Sequence, residues 1–132
     1  SIVERLKALT DGKKVAVVYD SVGKDTWEAS LDCLQRRGLM VSFGNSSGPV
    51  TGVNLGILNQ KGSLYVTRPS LQGYITNREE LEEACSELFS LIASGVIKVD
   101  VAESQIYPLS EARRAHEVLE SRVTQGSSLL LP

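Results

Sequence analysis

The chain has 132 residues, of which 42% are hydrophobic and 5% aromatic, so it has the size of one globular domain or of a part of a larger protein. Its net charge is -2, with acidic and basic residues interspersed and no basic tract, which argues against a dedicated nucleic-acid or membrane-surface protein. No apolar run approaches the roughly 20 residues that span a bilayer, and the first residues are charged where a signal peptide would be apolar. We therefore expect a cytoplasmic protein with a small, neutral or mildly anionic partner.

Residues that commonly bind metals or carry redox chemistry are few. Cys33 and Cys85 lie in separate predicted helices, without the CxxC or Cys/His spacing of a redox pair or zinc site. We interpret both as structural thiols. The single histidine, His116, lies on a predicted helix and cannot form a histidine-based metal cluster alone. The sequence therefore predicts no metal site among these residues.

The first half of the chain begins with a strand and a helix. An apolar run rich in β-branched residues predicts a strand at residues 15–19 that is buried on both faces. Asp25 and Glu28 can form a capping box, and apolar residues on one face follow them. We therefore predict a helix over residues 24–37 that ends at a left-handed Gly38.

A second and a third strand follow. The strand predicted at residues 39–43 is close enough to the first to form a parallel βαβ unit with a right-handed crossover. Residues 45–52 have the composition of a loop, and residues 54–60 predict a short helix. A third strand is predicted at residues 63–67 and is ended by Pro69. The pattern is that of an open parallel sheet.

The pattern changes beyond Gly73, where we place a structural boundary. Thr76 and Glu79 form a second candidate capping box, and a long apolar stripe predicts a helix that ends at Gly95. The remaining elements predicted in this part are strands at residues 97–101, 104–107 and 127–132 and a Ser110-capped helix that ends near Ser121.

At the other end of the chain, apolar residues at helical spacing predict a helix over residues 2–9, which Asp11-Gly12 ends.

Two strand endings carry most of the information about function. They are VSFGNSSG at residues 41–48 and YVTRPSLQGY at residues 65–74. In an open parallel sheet, ligands bind beyond the carboxyl ends of the strands, where a loop rich in Gly, Ser and Asn can approach a nucleotide with its backbone. These loops predict one half of a nucleotide pocket. The glycine-rich turn GxGxxG that would hold the phosphates does not follow any predicted strand.

Four segments together resemble the bacterial NADPH-dependent quinone oxidoreductases, which belong to the zinc-free, zeta-crystallin-like branch of the medium-chain dehydrogenases. The segments are VVYDSVG, LMVSFGNSSG, YVTRPSLQGY and AHEVLESRVTQGSSLLLP. The resemblance covers essentially the whole chain but only the carboxyl-terminal part of such an enzyme. It implies an α/β fold in which residues 1–72 form the second half of a Rossmann-type parallel sheet, in the NADPH-binding domain. Residues 73–132 would be the returning C-terminal segment of the catalytic domain.

The resemblance also implies which residues bind NADPH. They are Ser21 in the cofactor cleft; Phe43, Gly44 and Asn45 beside the nicotinamide ribose; Pro69, Ser70 and Leu71, whose backbone would bind the nicotinamide carboxamide; and Arg122, whose forked donors suit the phosphates. Each assignment has an alternative. Ser21 could lie in an ordinary polar turn, Phe43 could be a core residue, and Arg122 could be a solvated arginine at a helix C-terminus. We assign no catalytic residue, because no side chain is a compelling general acid. Arg68 is left out because it could equally pair across an interface or remain in solvent.

The activity that the resemblance implies is hydride transfer from NADPH to a quinone carbonyl or an activated alkene, with the protein supplying orientation. The alternatives are another medium-chain reductase, such as an enoyl reductase or an alcohol dehydrogenase, and a non-catalytic crystallin or RNA-binding relative. An independent flavodoxin-like domain would need more parallel strands than are visible before Gly73.

Relatives of this family commonly form homodimers through the edge strand that corresponds to residues 63–67, so we expect a homodimer of the complete protein. The strand at residues 15–19 would have an unpaired apolar edge if the first half of the sheet were absent. We expect that these residues alone neither bind NADPH with useful affinity nor reduce quinones.

Overall fold

A computed structural model describes every residue from Ser1 to Pro132. The chain divides into two compact units, Ser1–Thr76 and Asn77–Pro132. The first contains α1 (Ile2–Leu9), β1 (Val15–Asp20), α2 (Trp27–Cys33), β2 (Leu34–Ser42), α3 (Gly56–Gln60) and β3 (Tyr65–Thr67). The second contains α4 (Arg78–Ala93), β4 (Ile106–Pro108), α5 (Ala112–Glu120) and β5 (Leu129–Leu131). Short 3-10 turns lie at Leu71–Gly73, Glu103–Gln105 and Leu109–Glu111.

No helix combines the length and the apolar character needed to cross a membrane.

The first unit is built on a three-stranded parallel sheet with the order β1-β2-β3. In its register Val18 lies opposite Met40, and Met40 lies opposite Val66. The predicted α/β fold with parallel strands is therefore confirmed. Because the strands are parallel, the loops that follow β1, β2 and β3 all leave the sheet at the same edge.

The core of the first unit lies on one face of this sheet. Leu31, Leu34 and Met40 are fully buried, and Trp27 and Val18 pack against their cluster. Each fully buried side chain of this kind contributes about 1.5–3 kcal/mol of transfer free energy.

The opposite face of β1 is open, since the exposed fraction is 39% for Val17 and 73% for Tyr19. These two residues point away from Val18 because side chains alternate along a strand. The expectation that this strand is buried on both faces is therefore wrong for this chain.

Helix α2 is shorter than predicted, because β2 already begins at Leu34. Three additional residues of β2 interrupt its pairing with β1, since Val15 lies opposite Leu34 and Val17 lies opposite Leu39. The left-handed residue in this irregular segment is Arg37, with φ 61°, and not the predicted Gly38.

Gly38 is needed for a different reason than the one predicted. A Cβ atom there would lie 2.9 Å from the carbonyl oxygen of Gln35 and 3.1 Å from that of Ala16. The predicted capping box of Asp25 and Glu28 is also wrong, because the N-cap of α2 is Thr26 and its side chain makes no capping hydrogen bond.

In the second unit, α4 is the longest helix and β4 pairs with β5 in parallel. The side chain of Asn77 caps α4 by accepting a hydrogen bond from Glu80 N at 2.9 Å, one residue later than the predicted capping box. Gly95 follows the helix with φ 74°, as predicted.

Two predictions for the second unit are wrong. Residues 97–101 form no strand, because β4 and β5 pair only with each other and leave this apolar run without a partner. Ser110 does not cap α5, since it lies in the preceding 3-10 turn and the N-cap position is Glu111.

Candidate functional site

The loops after β1 and β2 are joined by backbone hydrogen bonds. We call residues 21–26 the first loop and residues 43–48 the second loop. Ser46 N donates to Ser21 O at 3.2 Å, Ser47 N donates to Val22 O at 2.8 Å, and Lys24 N donates to the second loop at 3.1 Å. The pairing of β1 with β2 thus continues beyond the ends of the strands.

Glycine allows this close approach at two positions. A Cβ atom on Gly44 would lie only 2.4 Å from Ser21 O, a backbone atom that no side-chain movement can clear. A Cβ atom on Gly23 would lie 2.6 Å from Gly48 O, and Gly23 has φ 91° in the left-handed region. The two loops can therefore meet only because glycine occupies both positions.

The carboxylate of Asp20, at the end of β1, organises the first loop from inside. Its exposed fraction is 4%, and Oδ1 accepts hydrogen bonds from Val22 N at 2.8 Å and Gly23 N at 2.9 Å. Oδ2 accepts from Thr26 Oγ1 at 2.7 Å and Ser30 Oγ at 2.6 Å. Each carboxylate oxygen therefore has two donors.

The pKa of Asp20 reflects two opposing effects. Burial disfavours the charged carboxylate and acts to raise the pKa, but the hydrogen bonds, of which that from Ser30 has the largest effect, outweigh burial and lower the pKa below its usual value. Asp20 is consequently an ionised buried group with four donors around it. Sequence reasoning missed this role, although an Asp that ends a strand and precedes Gly by three residues is typical of a side chain that bonds its own loop.

Arg68 is the residue after β3, and its side chain contacts the end of β2 and the second loop. Its Nη1 donates to Ser42 O at 2.7 Å. When the Asn45 amide oxygen is assigned to the side facing Arg68, Nη2 donates to it at 3.2 Å, and the Asn45 amide nitrogen donates to Gly44 O at 2.8 Å. Arg68 is not among the predicted site residues, and the sequence signal for it was a charged residue between a strand end and Pro69.

Two open clefts lie beside these loops. One of about 280 Å³ is lined in part by Asn45, Arg68 and Trp27, together with apolar residues of β3 and the segment after the second loop. A neighbouring cleft of about 530 Å³ is lined by Trp27 and Lys24 and by residues 49–54. Trp27 contributes to both clefts, so the space at this edge of the sheet is lined by aromatic, apolar and polar groups.

Most of the predicted cofactor residues lie at the carboxyl edge of this sheet. Ser21, Phe43, Gly44 and Asn45 lie in the two hydrogen-bonded loops, and Pro69, Ser70 and Leu71 follow β3. The side chains of Phe43 and Leu71 are exposed by 51% and 66%. Phe43 is therefore not part of the buried core of the first unit.

Arg122 belongs to the second unit, where it follows α5. Its φ is 62°, and its backbone N donates to Leu119 O at 3.1 Å. The contacts of all eight residues with a cofactor remain predictions.

The structure also describes the thiols and the possible metal ligands. Cys33 is buried and Cys85 half-buried, and neither forms a disulfide. Burial raises the pKa of the Cys33 thiol, as is typical of a structural cysteine. No group of three or more His, Cys, Asp or Glu residues is arranged to hold a metal ion.

A parallel sheet whose strand-end loops are linked and border clefts has the arrangement of the Rossmann-type α/β proteins. Comparison with known proteins narrows this class. Residues 2–130 match the family of zinc-binding dehydrogenases, and the chain belongs to that family.

Several of its similar relatives are quinone oxidoreductases. The chain is 86% identical over 132 residues to the quinone oxidoreductase of Salmonella typhimurium, covering 100% of this chain and 40% of the relative. It is 85% identical over 131 residues to quinone oxidoreductase 1 of Escherichia coli, covering 99% and 40%. The crystal structure of Escherichia coli quinone oxidoreductase complexed with NADPH matches with a TM-score of 0.92 and 84% identity, over 100% of this chain and 40% of that one. The resemblance to bacterial quinone oxidoreductases is confirmed, and the chain spans about 40% of the length of these relatives.

Proposed function

We propose that this chain is the part of an NADPH-dependent quinone oxidoreductase that orients the nicotinamide, and that the complete enzyme transfers hydride from NADPH to a quinone. The observation that carries the proposal is the second loop, which presents Phe43, Gly44 and Asn45 at the carboxyl edge of a parallel sheet. The similarity of the whole chain to an oxidoreductase complexed with NADPH supports the same cofactor.

The residues at this edge fit a nicotinamide nucleotide. The half-exposed ring of Phe43 and the exposed Leu71 offer apolar surface for the nicotinamide ring. The Asn45 amide offers polar atoms to a ribose, and the backbone around Ser70 offers hydrogen-bonding groups to a carboxamide. Arg122 would supply forked donors for a phosphate.

When bound, NADPH supplies the hydride, so the chemistry of the step is that of the cofactor. This chain would contribute orientation and the exclusion of water. Phe43 and Leu71 would limit the positions open to the nicotinamide ring, and the linked loops would hold Phe43 in place. No proton transfer is assigned to a side chain of these residues.

The domain assignment, assembly and location belong to the same proposal. Residues 1–72 would be the C-terminal half of the NADPH-binding domain, and residues 73–132 the C-terminal segment of the catalytic domain. The division into two compact units supports such an arrangement. An exposed β3 at the edge of the sheet supports a homodimer formed by antiparallel pairing of two such strands. We further propose a cytoplasmic location.

The proposal is tested with a reconstituted enzyme, in which this chain replaces the matching segment of the Salmonella typhimurium relative. We expect quinone-dependent oxidation of NADPH, and protection of the Phe43 and Leu71 amides from hydrogen exchange when NADPH is added. Quinone preference is measured as kcat/KM across a series of quinones. A folded enzyme that reduces only an enoyl substrate or oxidises alcohols would favour a sibling reductase, and one that retains RNA at about 0.15 M salt would favour a binding function.

The isolated chain gives a second test. We expect no quinone reduction and no change in the fluorescence of Trp27 on addition of NADPH, because the glycine-rich phosphate turn is not among these residues. Quenching of Trp27 at micromolar NADPH would show that this chain captures the cofactor without that turn.

A further inference from the structure

The side chain of Ser47 joins the first and second loops in both directions. Its hydroxyl donates to Val22 O at 2.7 Å and accepts a hydrogen bond from Asp25 N at 3.0 Å. Val22 and Asp25 lie three residues apart in the first loop, so one hydroxyl fixes two points of that loop. The bond to Val22 O is partly buried and thus partly shielded from water, whereas the bond from Asp25 N is exposed.

The first loop is also held from the side of the sheet. Asp20 binds the backbone N–H groups of Val22 and Gly23 at 2.8 and 2.9 Å. Val22 is therefore bound by Asp20 through its N–H and by Ser47 at its carbonyl. With Asp20 fixed by the start of α2, a rigid path runs from the helix through the first loop to Ser47.

Ser47 lies two residues after Asn45 in the second loop. The position of Ser47 therefore limits where the backbone of Phe43, Gly44 and Asn45 can lie, although Ser47 is not among the predicted cofactor residues. A loop that is already ordered loses less conformational entropy when a ligand binds, so the protein binds that ligand with higher affinity.

We propose that Ser47, supported by Asp20, is a positioning residue that holds the second loop in its cofactor-binding conformation before NADPH arrives. This inference rests on the proposed function, because it needs NADPH to bind at the second loop. Ser47 acts through the first loop and needs no contact with the nicotinamide. The consequence is an effect on the affinity for NADPH that is larger than the effect on hydride transfer in the loaded enzyme.

The kinetic test compares variants of the reconstituted enzyme. Ser47→Ala removes both hydroxyl hydrogen bonds, and we expect the Kd for NADPH to rise about tenfold, with kcat at saturating NADPH changed less than about twofold. Ser47→Thr keeps the hydroxyl and is expected to restore most of the affinity. Ser94→Ala is the matched control, because the Ser94 hydroxyl also donates to a backbone carbonyl, Leu91 O at 3.1 Å, but at the C-terminal end of α4. An unchanged Kd in Ser47→Ala, or an equal rise in Ser94→Ala, would overturn the inference.

Hydrogen exchange of this chain separates the inference from the proposed function. In Ser47→Ala, the amide of Asp25 loses its partner directly, whereas the amides of Lys24 and Ser46 keep their own acceptors. We expect all three to exchange at least about fivefold faster, because the loops separate together. Faster exchange at Asp25 alone would show that Ser47 does not hold the loops. If the unsubstituted reconstituted enzyme fails to use NADPH, the proposed function fails, and the cofactor role of Ser47 fails with it whatever the exchange rates are.

Discussion

The two compact units bury their side chains in different ways. In the first unit, Leu31, Leu34 and Met40 have no exposed surface and form one cluster between α2, β2 and the rest of the sheet. In the second unit, α4 has no buried residue, and Leu88 and Phe89 on it are exposed by 45% and 63%. The first unit thus completes a core of its own, whereas the longest helix of the second does not. A site built on the first unit can therefore be positioned by contacts within that unit.

The polar groups buried in the two units differ as well. Gln105 in the second unit links two segments, since its Nε2 donates to Ser127 O and its Oε1 accepts from Gln125 N, both at 3.0 Å. Asp20 in the first unit accepts four hydrogen bonds and carries a charge. Hydrogen bonds to a charged group are roughly twice as strong as neutral ones. The conformation of the first unit should therefore depend on pH in a way that a neutral amide does not produce.

The largest effect is expected from the core of the first unit. Leu31→Ala should lower the free energy of unfolding by about 2–5 kcal/mol, because it leaves a cavity beside Leu34 and Met40. The measurement is urea denaturation followed by the fluorescence of Trp27, the single tryptophan, which packs against this core. Leu88→Ala removes the same atoms from an exposed position and should change the transition by less than about 1 kcal/mol. Equal losses of unfolding free energy in the two variants would mean that Leu31 and Leu88 do not differ in burial.

The second largest effect is expected at Asp20. Asp20→Asn keeps an acceptor for the backbone amides, but its amide nitrogen cannot accept from the hydroxyls of Thr26 and Ser30. We expect a loss of about 2–3 kcal/mol in the same denaturation experiment, because buried donors lose a charged acceptor. Asp25→Asn is the control, since Asp25 is exposed and should change stability by less than about 0.5 kcal/mol.

The stability of the first unit should also fall in acid. The pKa of Asp20 is lower in the folded chain than its ordinary value, so ionised Asp20 stabilises the fold above the unfolded pKa of about 3.9. This contribution is lost as the pH falls from about 4 through the folded pKa. We expect the difference in unfolding free energy between the unsubstituted chain and Asp20→Asn to be constant from about pH 5 to 7 and to shrink below about pH 4. A difference that grows in acid would have the wrong sign for a lowered pKa.

A smaller effect is expected where the two loops touch. Gly44→Ala would place a Cβ atom 2.4 Å from Ser21 O and should destabilise the first unit by about 1–3 kcal/mol while separating the loops. Gly73→Ala is the matched control, because the nearest atom to its Cβ would be Ser70 Oγ at an ordinary 3.8 Å. Urea denaturation gives the stability, and hydrogen exchange at Ser46 reports the separation. Tolerance of alanine at position 44 would contradict the close loop contact.

Local sequence patterns predicted the elements that local forces decide. The apolar runs placed the three parallel strands in the first unit, and Gly95 marked the end of α4. The patterns were wrong where tertiary contacts decide. The Asp25–Glu28 box predicted a start for α2, but the helix begins beside the carboxylate of Asp20, which binds Thr26 and Ser30 instead.

The candidate site was predicted from strand endings and from a family resemblance, and this approach finds residues that could face a ligand. It did not include Ser47 or Arg68, because their importance lies in partners that are distant along the chain. Ser47 bonds to Asp25, which is 22 positions away in the sequence, and to Val22, which is 25 positions away. Arg68 bonds to Ser42, which is 26 positions away. Periodicity and composition carry no information about such pairs. They become visible only once the parallel register brings the loops together.

The smallest effect is expected at the start of α4, where the observed capping residue, Asn77, lies one position after the predicted one, Thr76. Asn77→Ala removes the acceptor for Glu80 N and should cost about 1 kcal/mol, within the usual range for an N-cap. Asn77→Asp keeps an acceptor and adds a negative charge at the positive end of the helix dipole, so it should match or exceed the original stability. The measurement is exchange of the Glu80 amide, with circular dichroism at 222 nm as a check on helix content. Because α4 buries none of its residues within this chain, its first turn depends more on the cap than a helix with a buried face would. If Ala and Asp at position 77 behave alike, the side chain of this residue does not cap α4.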